Sequence, residues 1–216
     1  MKSVIFIAPP AGGKGTVSAQ VKEKYQMPHI STGDLLRGAT NANDERANII
    51  KDLQAKGEFV PDSIVLDILK ERISKSDCDN GYILDGFPRN IEQANAYEKI
   101  LNELNMDLGV VILLDIDKNV AAKRIAGRWS CPSCGEVYNT NNPELNPKVE
   151  GKCDKCGSDL THRSDDNEET YEKRYNEYML KTSPLIEYYK NKGILYVIDA
   201  GISKDDTFEK VEGILG

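Results

Sequence analysis

The chain has 216 residues, enough for one sizeable core with one or two small insertions. Charged residues make up 29% and hydrophobic ones 39%, with a net charge of -7, which excludes an intrinsically disordered chain and the broad basic surface of a nonspecific nucleic-acid binder. No apolar run reaches membrane-spanning length and Met1-Lys2 leads straight into a short strand, so no membrane partner and a cytoplasmic location are expected.

Val4-Ile5-Phe6-Ile7 is an unbroken apolar run, as in a strand buried on both faces, and from Val17 the pattern turns helical. The joining segment, Ala8-Pro9-Pro10-Ala11-Gly12-Gly13-Lys14-Gly15-Thr16, has the chemistry of a phosphate cradle. Gly12 and Gly13 let backbone N–H groups close around phosphate oxygens, the helix N-terminus adds partial positive charge, and Lys14 brings a full one. Thr16 is placed to support Mg2+. A strict loop of this kind has Gly where this one has Ala8, and Ser or Thr where this one has Gly15, so a plain Gly-rich turn is the rival reading.

Further strands are expected at Pro28–Ile30, Tyr82–Leu84, Gly109–Leu114 and Leu195–Ile198, with helical patterns between them. This alternation implies a five-stranded parallel α/β sheet, helices on both faces, and ligand sites at the carboxyl ends of the strands. Polar residues stand there: Ser31-Thr32-Gly33-Asp34 after the second strand and Asp85-Gly86 after the third. Between Ile30 and Tyr82 the pattern gives a helical start at Leu35-Leu36-Arg37, a helix near Ile49–Lys56, a turn at Gly57, and an amphipathic helix Ser63–Ser74 opened by Pro61. Its first thirty or so residues read as a small helical insertion. Between Leu114 and Leu195, helices at Lys118–Ala126 and Glu168–Lys190 flank a segment, Trp129–Leu160, rich in Pro, Gly, Asn and Cys. The second helix carries an interruption at Thr182-Ser183-Pro184, where a hydroxyl cap precedes a proline at a first helical position.

Cys131-x-x-Cys134 and Cys153-x-x-Cys156, eighteen residues apart, have zinc-ribbon spacing. Four thiolates leave no open position on Zn2+, so the metal should be structural; two redox disulfides are the alternative, and Cys78 is an unremarkable thiol. Zinc ribbons also occur in nucleic-acid binders, which makes a noncatalytic binding module the rival class, although Asp154, Asp159, Asp165 and Asp166 weigh against it. Asp85, ending a buried strand beside the cradle, suits Mg2+ or its waters, or simply caps a turn. Arg89 is a candidate phosphate clamp, with Gln93 four residues on. Arg37, Arg124, Arg128, Arg163 and Arg174 taken singly are solvated charges, but the last four flank the cysteine insertion. Only His29 and His162 are present, and neither has a nucleophile partner.

Together, Ser31-Thr32-Gly33-Asp34-Leu35-Leu36-Arg37, Asp85-Gly86-Phe87-Pro88-Arg89 and the four-cysteine insertion resemble adenylate kinase of the zinc-containing bacterial type, over nearly the whole chain. The resemblance implies a P-loop nucleoside monophosphate kinase fold: a core of residues 1–30, 61–126 and 164–216, an AMP-binding flap of 31–60 and a zinc-ribbon lid of 127–163. It implies transfer of the γ-phosphoryl of Mg-ATP to AMP, giving two ADP, by a monomer. By motif, Lys14, Arg89, Arg124, Arg128, Arg163 and Arg174 would be catalytic. Gly12, Gly13, Lys14, Gly15, Thr16, Arg124, Arg128 and Tyr138 would hold ATP. Thr32, Gly33, Arg37, Glu58, Val60, Gly86, Arg89, Gln93, Arg163 and Arg174 would hold AMP, and Asp85 would anchor Mg2+ through water. The chain departs from the family pattern at Ala8, Ala11-Gly12, Val17, Asn139 and Ala200, and Ala8 would cost about 1 kcal/mol or more if its backbone needs positive φ. Relatives acting on UMP or CMP carry Ala at Thr32 and Asn at Gln93, so another monophosphate kinase, or one using GTP, is the nearest alternative.

Overall fold

Along the chain run β1 (Val4–Ile7), β2 (His29–Ser31), β3 (Ile83–Asp85), β4 (Val110–Asp115), β5 (Arg128–Ser130), β6 (Val137–Asn139) and β7 (Leu195–Asp199). The structure is a computed structural model that describes residues 3–41, 45–55, 60–162 and 166–216. Five strands pair in the order β2-β3-β1-β4-β7, each neighbour parallel. All four β1 side chains are buried, because β1 is the middle strand and both sheet faces are covered.

Parallel pairing needs crossovers, and helices supply them. On one face, α1 (Lys14–Tyr25) lays Val17 and Val21 against Val4, Phe6 and Ile83. Below the other face lie α4 (Asp62–Ile73), α5 (Ile91–Glu103) and α8 (Pro184–Asn191). They bring Leu69, Ile73, Tyr97, Leu101, Leu185 and Tyr189 onto Ile5, Leu84 and Val111. Each such side chain contributes roughly 1.5–3 kcal/mol on burial, so these two layers hold the sheet as the rigid floor of the cleft. Tyr82 and Tyr97, both fully buried, satisfy their hydroxyl groups with each other.

Relative to the apolar runs, β2, β3, β4 and β7 each end one residue later, on Ser31, Asp85, Asp115 and Asp199. Main-chain pairing, not side-chain hydropathy, sets the end of a ladder. The extension carries a polar residue to the carboxyl edge in each case.

After β2, α2 (Thr32–Ala39) is capped by Ser31, whose Oγ accepts Asp34 N–H at 3.4 Å, and α3 (Glu45–Ala55) begins four residues before the apolar pattern suggests. Lys56, Gly57, Glu58 and Phe59 lie outside the described residues. The cysteine segment follows α6 (Lys118–Ala126) as an antiparallel hairpin of β5 and β6, closed by bridges Ser130–Thr161 and Lys152–Asp159. Then come α7 (Glu168–Glu177), a π-helical turn Tyr178–Thr182, α8, β7 and α9 (Lys204–Leu215). The expected hydroxyl cap at Ser183 is corrected here. Ser183 keeps helical φ and ψ and its Oγ donates to Met179 O at 2.6 Å, so the helix widens through a π-turn instead of stopping and restarting.

Candidate active site

Register brings the site together, because Phe6, Asp85 and Ser31 stand abreast on β1, β3 and β2, and the loops that follow them leave from one edge. After β1 the chain folds back, with Gly12 N–H donating to Pro9 O at 3.0 Å. Positive φ falls on Ala11 (60°) and Gly13 (88°), not on Ala8. The strain expected at Ala8 is therefore moved to Ala11, whose left-handed backbone costs about 1 kcal/mol. Ala8 is only 4% exposed, and a Cβ built on Gly12 would come within 2.7 Å of the Ala8 Cβ and 2.9 Å of Pro9 O. A side chain at position 12 would thus collide with both the Ala8 methyl and the Pro9 main chain, which is the packing reason for glycine there.

Lys14 begins α1 and donates to Ala8 O at 3.3 Å. Although one side of it still meets solvent, it sits deep in the cleft, and burial pulls its pKa down; the charges of Arg89 and Arg174 act in the same direction, while Asp85 opposes them. Gly15 and Thr16 follow within the first turn of α1. Asp85 ends β3 with its Oδ2 3.4 Å from His29 Nε2. Burial acts to raise its pKa, but His29, Lys14 and Arg89 more than offset this and hold the carboxyl below the usual range.

Arg89 is fixed at three points. Its N–H donates to Gln93 Oε1 at 2.7 Å, its Nε to Gly86 O at 2.8 Å, and its carbonyl accepts Thr182 Oγ1 at 2.9 Å. The preceding Phe87-Pro88 peptide is cis. Thr32 Oγ1 lies 3.4 Å from the same Gly86 carbonyl, and a Cβ on Gly86 would meet both Thr32 and Arg89 at 3.6 Å. Arg37, next to Gly33, pairs within its own helix with Asp34, and Val60 is half-buried. Glu58 and Arg163 lie outside the described residues.

On the other side, Arg124 donates to Ala200 O at 2.8 Å. Arg128 forms a two-pronged pair with Asp166, its Nε 2.7 Å from Oδ2, and the Asp166 side chain is fully buried. This fork ties the start of β5 to the approach to α7, the two chain segments through which the hairpin joins the core. Breaking a buried pair strands its partner, so Asp166→Ala is expected to cost about 1–3 kcal/mol, read from urea unfolding; an unchanged midpoint would deny the fork a structural part.

The four cysteine sulfurs lie within 4.8 Å of one another, with Cys131–Cys156 at 3.4 Å and Cys134–Cys153 at 3.5 Å. These separations are far beyond a disulfide and close to the roughly 3.8 Å edge of a tetrahedral zinc–thiolate site. Each Cys-x-x-Cys pair is followed by a glycine of positive φ, Gly135 and Gly157, whose N–H returns to the carbonyl of Cys131 or Cys153. The Cys153 thiol is drawn down to about 6, chiefly by the Tyr138 hydroxyl and then, against burial, by the N–H groups of Cys156 and Lys155. The Tyr138 ring is buried in the hairpin with Cys131, Cys153 and Leu160, and its hydroxyl accepts Asp154 N–H at 2.7 Å, so this side chain supports the thiol cluster.

A family profile described as Adenylate kinase matches residues 6–194. The chain is 47% identical over 212 residues to the adenylate kinase of Thermodesulfovibrio yellowstonii, covering 98% of each chain. It is 45% identical to that of Archaeoglobus fulgidus, over 99% of this chain and 97% of the relative, and 45% identical to that of Listeria monocytogenes, over 98% of each. The chain belongs to the adenylate kinase family.

The remaining departures from the family pattern have local reasons. Val17 is 2% exposed and packs into the α1 face of the sheet. Asn139 donates to Arg124 O at 2.8 Å and, with Asn141 donating to Lys123 O, satisfies the last carbonyls of α6. Ala200 offers only its main chain to Arg124, which a glycine there would also do. Sequence reasoning missed Asp166, Thr182 and the two asparagines as parts of the site's framework. The available signal was position: Asp166 stands just before an Asn-capped helix at the end of the insertion.

Proposed function

We propose that this cleft moves the γ-phosphoryl of Mg-ATP to AMP, giving two ADP. The observation that carries the reading is the gathering of Asp85, at the carboxyl end of its strand, with Arg89 and Arg174 around Lys14, close enough for their charges to act on it. Phosphoryl transfer asks for alignment and positive charge more than for covalent chemistry. Glycines 12, 13 and 15 with Lys14 and Thr16 cradle the donor phosphates, and Arg124 and Arg128 approach them from the hairpin side. Thr32, Gly33, Arg37, Val60, Gly86, Arg89 and Gln93 hold AMP, joined by Glu58, Arg163 and Arg174 in the same reading. A carboxylate kept ionised at Asp85 and the Thr16 hydroxyl are the hard oxygen groups that Mg2+ requires, and the ion neutralises charge across the phosphates when bound. The four thiols suit structural Zn2+.

The domains follow as proposed from sequence: core, AMP flap of 31–60 and lid of 127–163, the lid swinging about hinges near residues 128 and 163 to exclude water. The enzyme works as a cytoplasmic monomer. Four reduced thiols call for a reducing compartment, and no helix among the described residues is long and apolar enough to cross a membrane. A net charge of -7 supports the absence of a nucleic-acid partner.

The test is a coupled assay with AMP, GMP, CMP and UMP as acceptors and ATP or GTP as donor. The expected result is a kcat/KM for AMP about 100-fold or more above the others, since a site with fixed polar groups leaves them unpaired with the wrong base. Comparable turnover of UMP or CMP would overturn the choice of acceptor.

A further inference from the structure

Gln93 is 9% exposed and its amide is engaged at both ends. Oε1 accepts the Arg89 N–H at 2.7 Å, and Nε2 donates to Asp62 Oδ1 at 2.7 Å. The backbone under it is fixed as well, because Gln93 N–H is the group that the N-cap residue Asn90 accepts, also at 2.7 Å. A half-turn of the amide would set NH2 against the Arg89 N–H and carbonyl oxygen against the Asp62 carboxylate, two repulsive contacts in place of two attractive ones. The orientation of the amide thus follows from chemistry: Arg89 N–H can only donate, and an ionised Asp62 can only accept.

Asp62 opens α4, just past the point where the proposed AMP flap rejoins the core, and its carboxylate is otherwise an ordinary exposed acidic group in a first helical turn. Its bond to a buried amide on another helix is not needed for capping. After both contacts are made, the Gln93 amide keeps one N–H and one acceptor lone pair. A purine with a 6-amino group presents that donor beside ring-nitrogen acceptors, whereas a 6-oxo purine presents an acceptor in its place. A glutamine free to flip serves either base. A glutamine pinned at both ends serves one.

We propose that Asp62 is a specificity-determining residue that acts through Gln93, pinning its amide so that the acceptor site favours 6-amino over 6-oxo purine monophosphates. This rests on the reading that Gln93 faces the base of AMP. Arg89 supplies the other pin through its main chain, which substitution of side chains does not remove, so Asp62 is the end that can be released.

The experiment measures kcat and KM for AMP and for IMP, which differs in carrying oxygen at C6, at saturating Mg-ATP. The variants are Asp62→Ala, Asp62→Asn, Gln93→Leu and the double Asp62→Ala/Gln93→Leu. The readout is the AMP-to-IMP ratio of kcat/KM within each variant, which cancels any loss of folded enzyme and which a merely structural role would not move. Asp62→Ala should narrow that ratio about tenfold, mainly through KM, with KM for ATP unchanged. Asp62→Asn, which keeps an acceptor oxygen, should retain most of it. Gln93→Leu should bring the ratio to a floor to which Asp62→Ala adds nothing. An unchanged ratio in Asp62→Ala alongside a narrowed one in Gln93→Leu would overturn the inference while leaving the base reading intact. An unchanged ratio in Gln93→Leu would overturn the base reading, and a further narrowing in the double variant would show Asp62 acting by another route.

Discussion

Lys14→Met is expected to lower kcat by about three orders of magnitude or more while leaving the unliganded protein at least as stable as the parent. Both halves come from one feature. The ammonium is largely withdrawn from water, makes a long bond to Ala8 O, and lies in the field of Arg89 and Arg174, so burial and then those charges, against Asp85, depress its pKa. A lysine whose folded pKa is below its unfolded value weakens folding at pH values below the folded pKa, and this penalty disappears as pH rises through it. Methionine removes the charge and keeps the packing, so its stability advantage should be largest near neutral pH and shrink at alkaline pH. In the transition state the same charge meets phosphate oxygens as electron density shifts toward the bridge, where it acts most strongly. A thousandfold loss corresponds to about 4 kcal/mol of barrier. Urea unfolding across pH and steady-state rates test the two halves together. A folded variant with near-normal kcat would mean that the loop is not the donor cradle.

Removing two thiols, by Cys153→Ser with Cys156→Ser, should lower the melting temperature by many degrees yet leave kcat within about tenfold wherever the variant stays folded. The hairpin's own buried set is small: Cys131, Tyr138, Cys153 and Leu160, with Trp129 against it. A cluster of that size cannot offset the entropy of ordering some thirty residues without a metal clip. Four sulfurs would saturate a tetrahedral ion, and the arginines proposed for phosphate contact lie outside that set, so a metal held there would have no place in the chemistry. Metal per chain, thermal unfolding and initial rates are measured on both forms. A well-folded, metal-free variant without activity would give the metal a catalytic part, and unchanged stability would remove its structural one.

The sheet, its covering helices and the cysteine cluster were legible because each leaves a local trace: aliphatic runs, helical period, and paired Cys-x-x-Cys spacing. Strand ends were less so, since Ser31, Asp85, Asp115 and Asp199 extend their ladders by main-chain pairing that hydropathy does not register. At the candidate site, Lys14 stood out in a Gly-rich loop after a strand, Asp85 at a strand end and Arg89 in the turn that follows it. Their supports did not, because Asp62, Thr182 and Asp166 reach across 31, 93 and 38 positions of chain to meet Gln93, Arg89 and Arg128, and nothing local announces such a contact. The condition attached to Ala8, a positive φ, is met instead at Ala11 and Gly13, and residue type alone does not say which residue of such a loop turns left-handed. The Tyr138 hydroxyl's support of the thiol cluster was not legible either, because residue type does not announce such a contact.

The most direct test of the central claim is to follow phosphorus-31 signals of ATP, AMP, ADP and inorganic phosphate in one reaction with Mg2+. The account predicts loss of one ATP and one AMP for every two ADP formed, no release of inorganic phosphate, and conversion of ADP alone into ATP and AMP. Loss of ATP with release of inorganic phosphate and no consumption of AMP would contradict it.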